Sequence, residues 1–170
     1  MTSEAALAAA VREIEKHAAS DGWDQPARLF ALVDTAALVA REPQLADSVG
    51  DAALTPVEQE GVAGRLEELL TTIVWPPTVH GCAAVVERFV LPSDVEAELP
   101  TEPGAAVEFV AEHPDRQEVR IVVAALRTGA SYCALRLRAH DDDASVLTGE
   151  ELVPELVELV RGTLEEGPDE

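Results

Sequence analysis

Residues 118–139, EVRIVVAALRTGASYCALRLRA, decide the fold. Two runs rich in Val, Ile, Leu and Tyr flank Thr128-Gly129, a turn signal, so the segment reads as an antiparallel hairpin. A turn that pairs Arg127 with Ala130 sets Val122 opposite Leu135 and Ala124 opposite Cys133, a dry face suited to a core. The other face then carries Val119, Ile121 and Ala125 on one strand against Arg138, Arg136 and Tyr132 on the next. Arginine stems cover apolar surface while their heads stay wet, and Arg and Tyr are favoured at protein interfaces where Lys is depleted. Val119, Ile121, Tyr132, Arg136 and Arg138 are therefore the expected partner-binding face. The alternative is that a helix of the same chain covers them, with acids pairing the arginines.

The same stretch is a basic island. From Asp115 to His140 five arginines face two acids, a local balance of +3, which leaves −24 for the remainder of a 170-residue chain of net charge −21. Eleven of the twelve cations are arginine; Lys16 is the single lysine. Charge of this sign disfavours nucleic acid and anionic membranes, whose binding requires cations that replace phosphate counterions. Hydrophobic residues make up 47% of the chain, enough for a core. Two cysteines are too few for a disulfide framework. The N-terminus is charged at Glu4, Arg12, Glu13 and Glu15 and does not read as a signal peptide, and no run approaches the ~20 apolar residues of a membrane span. The expected setting is cytoplasmic.

Working outward, residues 3–19 read as an amphipathic helix, with Leu7, Val11, Ile14 and Ala18 at helical spacing. RLFALV (28–33) reads as a strand, with Asp34 or Thr35 capping a short helix that Pro43 ends. Thr55-Pro56-Val57-Glu58 and Thr148-Gly149-Glu150-Glu151 match capping boxes, the second opening a final helix that Pro154 kinks or delays. Further elements are a helix over 65–73, a strand over 79–91 and a short helix near 104–112. This order predicts one α+β domain over 1–164, with a mostly antiparallel sheet of about four strands and helices packed on one face. The acidic residues 165–170 read as a disordered tail.

Candidate chemistry is sparse. His80 and Cys82 lie two apart on a strand and share a face, so they and Cys133 could converge as a thiolate–imidazole pair, or with His140 as a zinc site. Both cysteines sit among Ala, Val and Leu, where a thiol is usually a small buried hydrophobe, so no metal and no cofactor is expected. His113 and Arg116 lead into the hairpin and are candidate anion ligands, the other reading being a plain turn. Asp141-Asp142-Asp143 resembles a hard-cation loop but lacks the EF-hand Gly and Glu positions. Trp23-Asp24-Gln25-Pro26 is the most distinctive loop: Trp23 either plugs the core or contacts a partner.

Taken together, WDQP-x-RLFALV (23–33), LTPVEQ (54–59), Gly81-Cys82-Ala83 through Val85-Val86-Glu87-Arg88, and His113-Pro114 with RQEVR (116–120) resemble a family of short acidic actinobacterial proteins known as uncharacterised conserved proteins. The resemblance spans nearly the whole chain, implies a bacterial cytoplasmic origin, and brings no activity with it. A looser architectural likeness is to small acidic bacterial secretion chaperones, which dimerise and bind protein segments. The sequence thus predicts a non-enzymatic, adaptor-like or chaperone-like interaction protein with a protein partner or a second copy of itself. The alternative is a small-ligand binder or enzyme with its site near His80 and Cys82.

Overall fold

Leu7, Val11, Ile14 and Ala18 are all buried, so the first helix, α1 (Glu4–Ser20), lays one apolar stripe on the sheet. The computed structural model describes residues 4–45, 53–59, 65–76, 78–90, 98, 100–114, 116–150 and 152–164. After α1 come β1 (Arg28–Asp34), α2 (Thr35–Arg41), β2 (Leu54–Glu58), α3 (Leu66–Leu70) and β3 (Val79–Val90). These are followed by α4 (Pro103–Glu112), β4 (Gln117–Leu126), β5 (Ser131–Leu137), β6 (Leu147–Gly149) and α5 (Pro154–Gly162). Among the described residues the strands form one six-stranded sheet in the order β2-β1-β3-β4-β5-β6, every pair antiparallel. The α+β class holds, with six strands in place of four. No helix of the described residues is long and apolar enough to cross a membrane. The tail expected over 165–170 lies outside the described residues.

Helices cover both faces of the sheet, not one. The α1 stripe packs on Phe30, Leu32, Ala83, Val85, Val122, Ala124 and Ala134. On the reverse face α3 and α5 bury Leu66, Leu70, Leu156, Val157 and Val160 against Cys82, Ala84, Ile121, Val123 and Cys133. The central strands explain this: Arg120 to Leu126 are all buried, and an apolar run such as IVVAAL suits a strand sandwiched on both sides.

Two capping-box readings are corrected. Leu54–Glu58 is an edge strand against β1, where Pro56 needs no N–H for a second neighbour, and Thr55 Oγ1 lies 2.8 Å from Thr35 Oγ1. Thr148-Gly149 belongs to β6, paired to Ala134 and Cys133. The last helix starts only at Pro154, which sits in its first turn. By contrast, Asp34 caps α2 as expected, accepting from Ala37 N at 3.0 Å.

The hairpin register also differs, by one residue. Leu126 N donates to Ala130 O, and Gly129 occupies the left-handed region at φ 97°. The turn therefore spans three residues, 127–129, with glycine at its left-handed position. Val122 faces Ala134, Val123 faces Cys133 and Arg120 faces Arg136. A one-residue slip exchanges the faces of a whole strand, so Val119 and Ile121 go to the α5 side while Tyr132 and Arg136 go to the α1 side.

Candidate interaction site

On the α1 side the sheet changes character along its length. Toward the hairpin turn it is apolar, with Ala83, Ala124 and Val122 among the buried residues. Beyond the Val85–Val122–Ala134 row comes Glu87–Arg120–Arg136, three charged residues side by side on β3, β4 and β5. Arg120 and Arg136 are 1% and 2% exposed. Two arginines in register repel each other unless carboxylates intervene. The chain supplies them from five segments.

Glu15, buried on α1, accepts from Arg136 Nε at 2.8 Å and Nη2 at 2.7 Å, a bidentate fork. Arg136 Nη1 donates to Asp141 at 2.9 Å. Arg120 Nη2 donates to the Gly22 carbonyl and lies 3.7 Å from Glu87. Arg138 Nη1 bridges Asp24 at 3.0 Å and Glu118 at 2.9 Å. Five carboxylates thus surround three guanidiniums, and the basic island is neutralised from within. The helix-covered alternative describes Arg136; Val119 and Ile121 are buried as well, so none of these three is available to a partner.

Over this end lies the loop 21–27. The guanidinium carbon of Arg120 sits 4.3 Å from the centroid of the Trp23 ring and that of Arg138 5.6 Å, distances at which a ring quadrupole attracts a cation. Trp23 Nε1 donates to Asp141 at 3.0 Å. Asp24 adopts φ 65°, a region aspartate tolerates better than most residues. Its amide and that of Gln25 donate to the two oxygens of Glu87 at 2.9 and 3.1 Å. Arg28 secures the far end, forked onto Glu58 at 2.8 Å and joined to Asp21 at 2.9 Å. Arg120 Nη1 has no hydrogen-bond partner among the described residues; the aromatic face beside its guanidinium offsets part of that cost.

The electrostatics follow. The Trp23 N–H, opposed by burial and aided by the Arg136 guanidinium, holds the Asp141 carboxyl below its ordinary range. Arg138 is held charged by Asp24 and Glu118. Arg28 likewise pulls Glu58 down and is itself raised. The carboxylates of Asp24, Glu87 and Glu118 lie within 4.8 Å of one another, a spacing that would suit a cation, but here a guanidinium bridges two of them and backbone amides take the third.

What stays at the surface is the outer side of the loop: Asp24 and Gln25 exposed, Trp23 and Tyr132 half-buried, Arg138 exposed. Beside it runs a groove of about 550 Å³, with Ala27, Leu66 and Val86 as its apolar lining and Gln25, Arg65, Glu67, Glu87 and Arg88 around them. Arg88 closes one side by donating to Glu67 at 2.6 Å.

The ligand candidates do not assemble. Cys82 is fully buried; burial pushes its thiol up to about 11, with Thr163 and Trp75 opposing. This is the reverse of an activated nucleophile. His80 is exposed. Cys133 is buried in the same core cluster, outside any disulfide, with its thiol donating to the Glu150 carbonyl at 3.8 Å. His113 packs on Phe109 at 5.3 Å, and Arg116 lies over Phe89 at 5.4 Å and donates to the His113 carbonyl at 3.0 Å. Phe89 is seven residues from Cys82 on one strand, about 23 Å away, so His80/Cys82 and His113/Arg116 are separate places. In the aspartate loop, Asp141 serves Trp23 and Arg136, while Asp142 accepts from Ser145.

Glu15, Glu87 and Arg120 were not singled out from the sequence, and Asp141 only as part of a hard-cation loop, where it instead serves Trp23 and Arg136. Two signals were present: Glu15 falls on the apolar stripe of α1, four residues after Val11, and Arg120 interrupts the run from Val119 to Leu126. No curated protein and no solved structure matches the chain. A family model matches residues 7–165, nearly the whole chain, in agreement with the resemblance carried by the WDQP loop. The chain belongs to the PPA1309-like protein family, an uncharacterised family.

Proposed function

We propose that the chain is a non-enzymatic protein-interaction module, adaptor-like or chaperone-like, whose contact surface is the loop Trp23–Gln25 with Arg138 and the adjoining groove. One observation carries the reading. An exposed loop with a left-handed aspartate is tied to β3 through Glu87, to β4 through Arg120, and to the turn after β5 through Arg138 and Asp141. A surface fixed before binding loses little entropy on association, and Trp and Arg are the side chains that most often anchor interfaces. The neighbouring groove offers an apolar floor inside a charged rim, the usual layout of an interface.

The partner is a protein chain, another polypeptide or a second copy, and not nucleic acid or membrane; the charge of −21 supports this. A cytoplasmic setting belongs to the same proposal, supported by two buried cysteines that form no disulfide. The test is a photo-crosslinking residue placed at Gln25 and, as control, at exposed Glu13 on α1, in the native host. A discrete protein adduct from position 25 and none from 13 is expected. No adduct at 25, or the same adducts from both positions, overturns the proposal.

A further inference from the structure

A second surface lies at the β6 edge of the sheet, distinct from the Trp23 loop although Glu15, the partner of Arg136, also lines it. β6 is the last strand in the order, and no strand of the described residues pairs with its outer edge. It is three residues long, without proline or inward charge, so it lacks the usual devices that blunt a free edge other than its shortness. The other edge strand, β2, carries Pro56.

The two sides of this open edge differ. On the α1 side a groove of about 240 Å³ is lined by Arg12, Glu15, Lys16, Ala134, Val146 and Thr148. Glu15 is committed to Arg136. Arg12 and Lys16 are exposed and, among the described residues, make no ion pair, although acids outnumber lysine and arginine 33 to 12 in this chain. On the α5 side the surface is apolar. Leu147 and Leu152 are 57% and 41% exposed, and Leu152 lies where a side chain on Gly149 would stand, Cδ2 2.9 Å from that Cβ position. Half-buried Leu135 faces Leu147 across the pair.

We infer that the β6 edge takes up an extended peptide segment of a partner protein, in which acidic and aliphatic residues alternate. Strand addition satisfies the open backbone groups. Successive side chains of the added strand point to opposite faces, so one set meets Arg12 and Lys16 while the other covers Leu147 and Leu152. Charge also decides against a second copy as occupant. Two-fold pairing of β6 with itself places the Arg12/Lys16 pairs of both copies on the same sheet face, where they repel.

The probe is a fluorescent seven-residue peptide of alternating Val and Glu, titrated by fluorescence polarisation against the full chain. Saturable binding is expected, weakening with added salt, with the Val/Lys counterpart inactive. Arg12→Glu with Lys16→Glu should reduce affinity about tenfold, the effect of two exposed ion pairs. N-methylation of alternate probe amides, which blocks strand pairing without touching the protein, should abolish binding in one of the two registers. An Ala27→Arg variant, altered only in the groove by the Trp23 loop, should bind the probe unchanged, which separates this site from that one. The inference is overturned by absence of binding at millimolar probe, by equal binding of the Val/Lys peptide, or by indifference to N-methylation in both registers. A wild-type dimer that the probe dissociates also overturns it, because a second copy would then hold the edge.

Discussion

Removing the carboxylate of Glu15 tests the burial of Arg136. Both side chains are nearly inaccessible, 4% and 3% exposed, and the fork closes at 2.7–2.8 Å. Breaking a buried pair by deleting one partner costs about 3–5 kcal/mol, because the other charge stays desolvated. Arg136 keeps Asp141 at 2.9 Å, which places Glu15→Ala at the low end, and alanine returns roughly 0.4 kcal/mol of helix propensity in α1. The expected loss is about 2.5 kcal/mol in urea denaturation, or roughly 5–10 °C in Tm for a chain of this length. The double variant Glu15→Leu, Arg136→Met replaces the pair by apolar groups of similar size and should fall within about 1 kcal/mol of wild type. A Glu15→Ala loss below about 0.5 kcal/mol would refute the reasoning: Arg136 would then face solvent, as a two-residue turn requires.

Trp23→Phe keeps an aromatic ring over Arg120 but removes the N–H from Asp141, so the Asp141 carboxyl should titrate higher by carbon-detected NMR than in wild type. The sign follows from its depressed folded value: its stabilisation is complete above the unfolded carboxyl range and fades as pH falls through the folded value, so the variant and wild type should differ in Tm near neutrality and converge in acid. Gly81→Ala should cost about 2 kcal/mol in the same urea assay, since the new Cβ would stand 2.6 Å from the Ala125 carbonyl and 2.8 Å from Leu126 Cδ2. Cys82, buried with its thiol raised to about 11, should react with an aromatic disulfide reagent at pH 8 only as fast as the protein unfolds; labelling within seconds in native buffer would contradict its placement.

The parts of the fold legible in the sequence are those with a strong period or a local cap. The α1 stripe, the Asp34 cap and the 118–139 hairpin all announce themselves. The errors share a cause: a local pattern had two readings, and tertiary contacts chose. Thr55-Pro56-Val57-Glu58 satisfies a capping box and also an edge strand; β1 needed a second neighbour, and the strand formed. Thr128-Gly129 fits a two-residue turn, but Arg127 is drawn into the loop by carbonyls of the 75–79 connector, with Nε on Val79 O at 2.7 Å and Nη2 on Trp75 O and Pro76 O at 3.0 Å. That one residue moved Arg136 from the expected interface into the core. The site was half legible: Trp23 and Arg138 were singled out, whereas Glu87 and Asp141 join them across 60 residues or more and leave no local signal.

The proposed contact surface requires that the Trp23 loop be fixed before any partner arrives. Amide hydrogen exchange at Asp24 and Gln25 tests this most directly. Both residues are exposed, so solvent access alone would let their amides exchange at the rate of a free peptide. Their bonds to the Glu87 carboxylate at 2.9 and 3.1 Å predict exchange slowed at least about tenfold, and a return to the free rate in Glu87→Ala. Free-peptide exchange at both amides in the wild-type protein would contradict the account, because the loop would then have to be ordered by its partner.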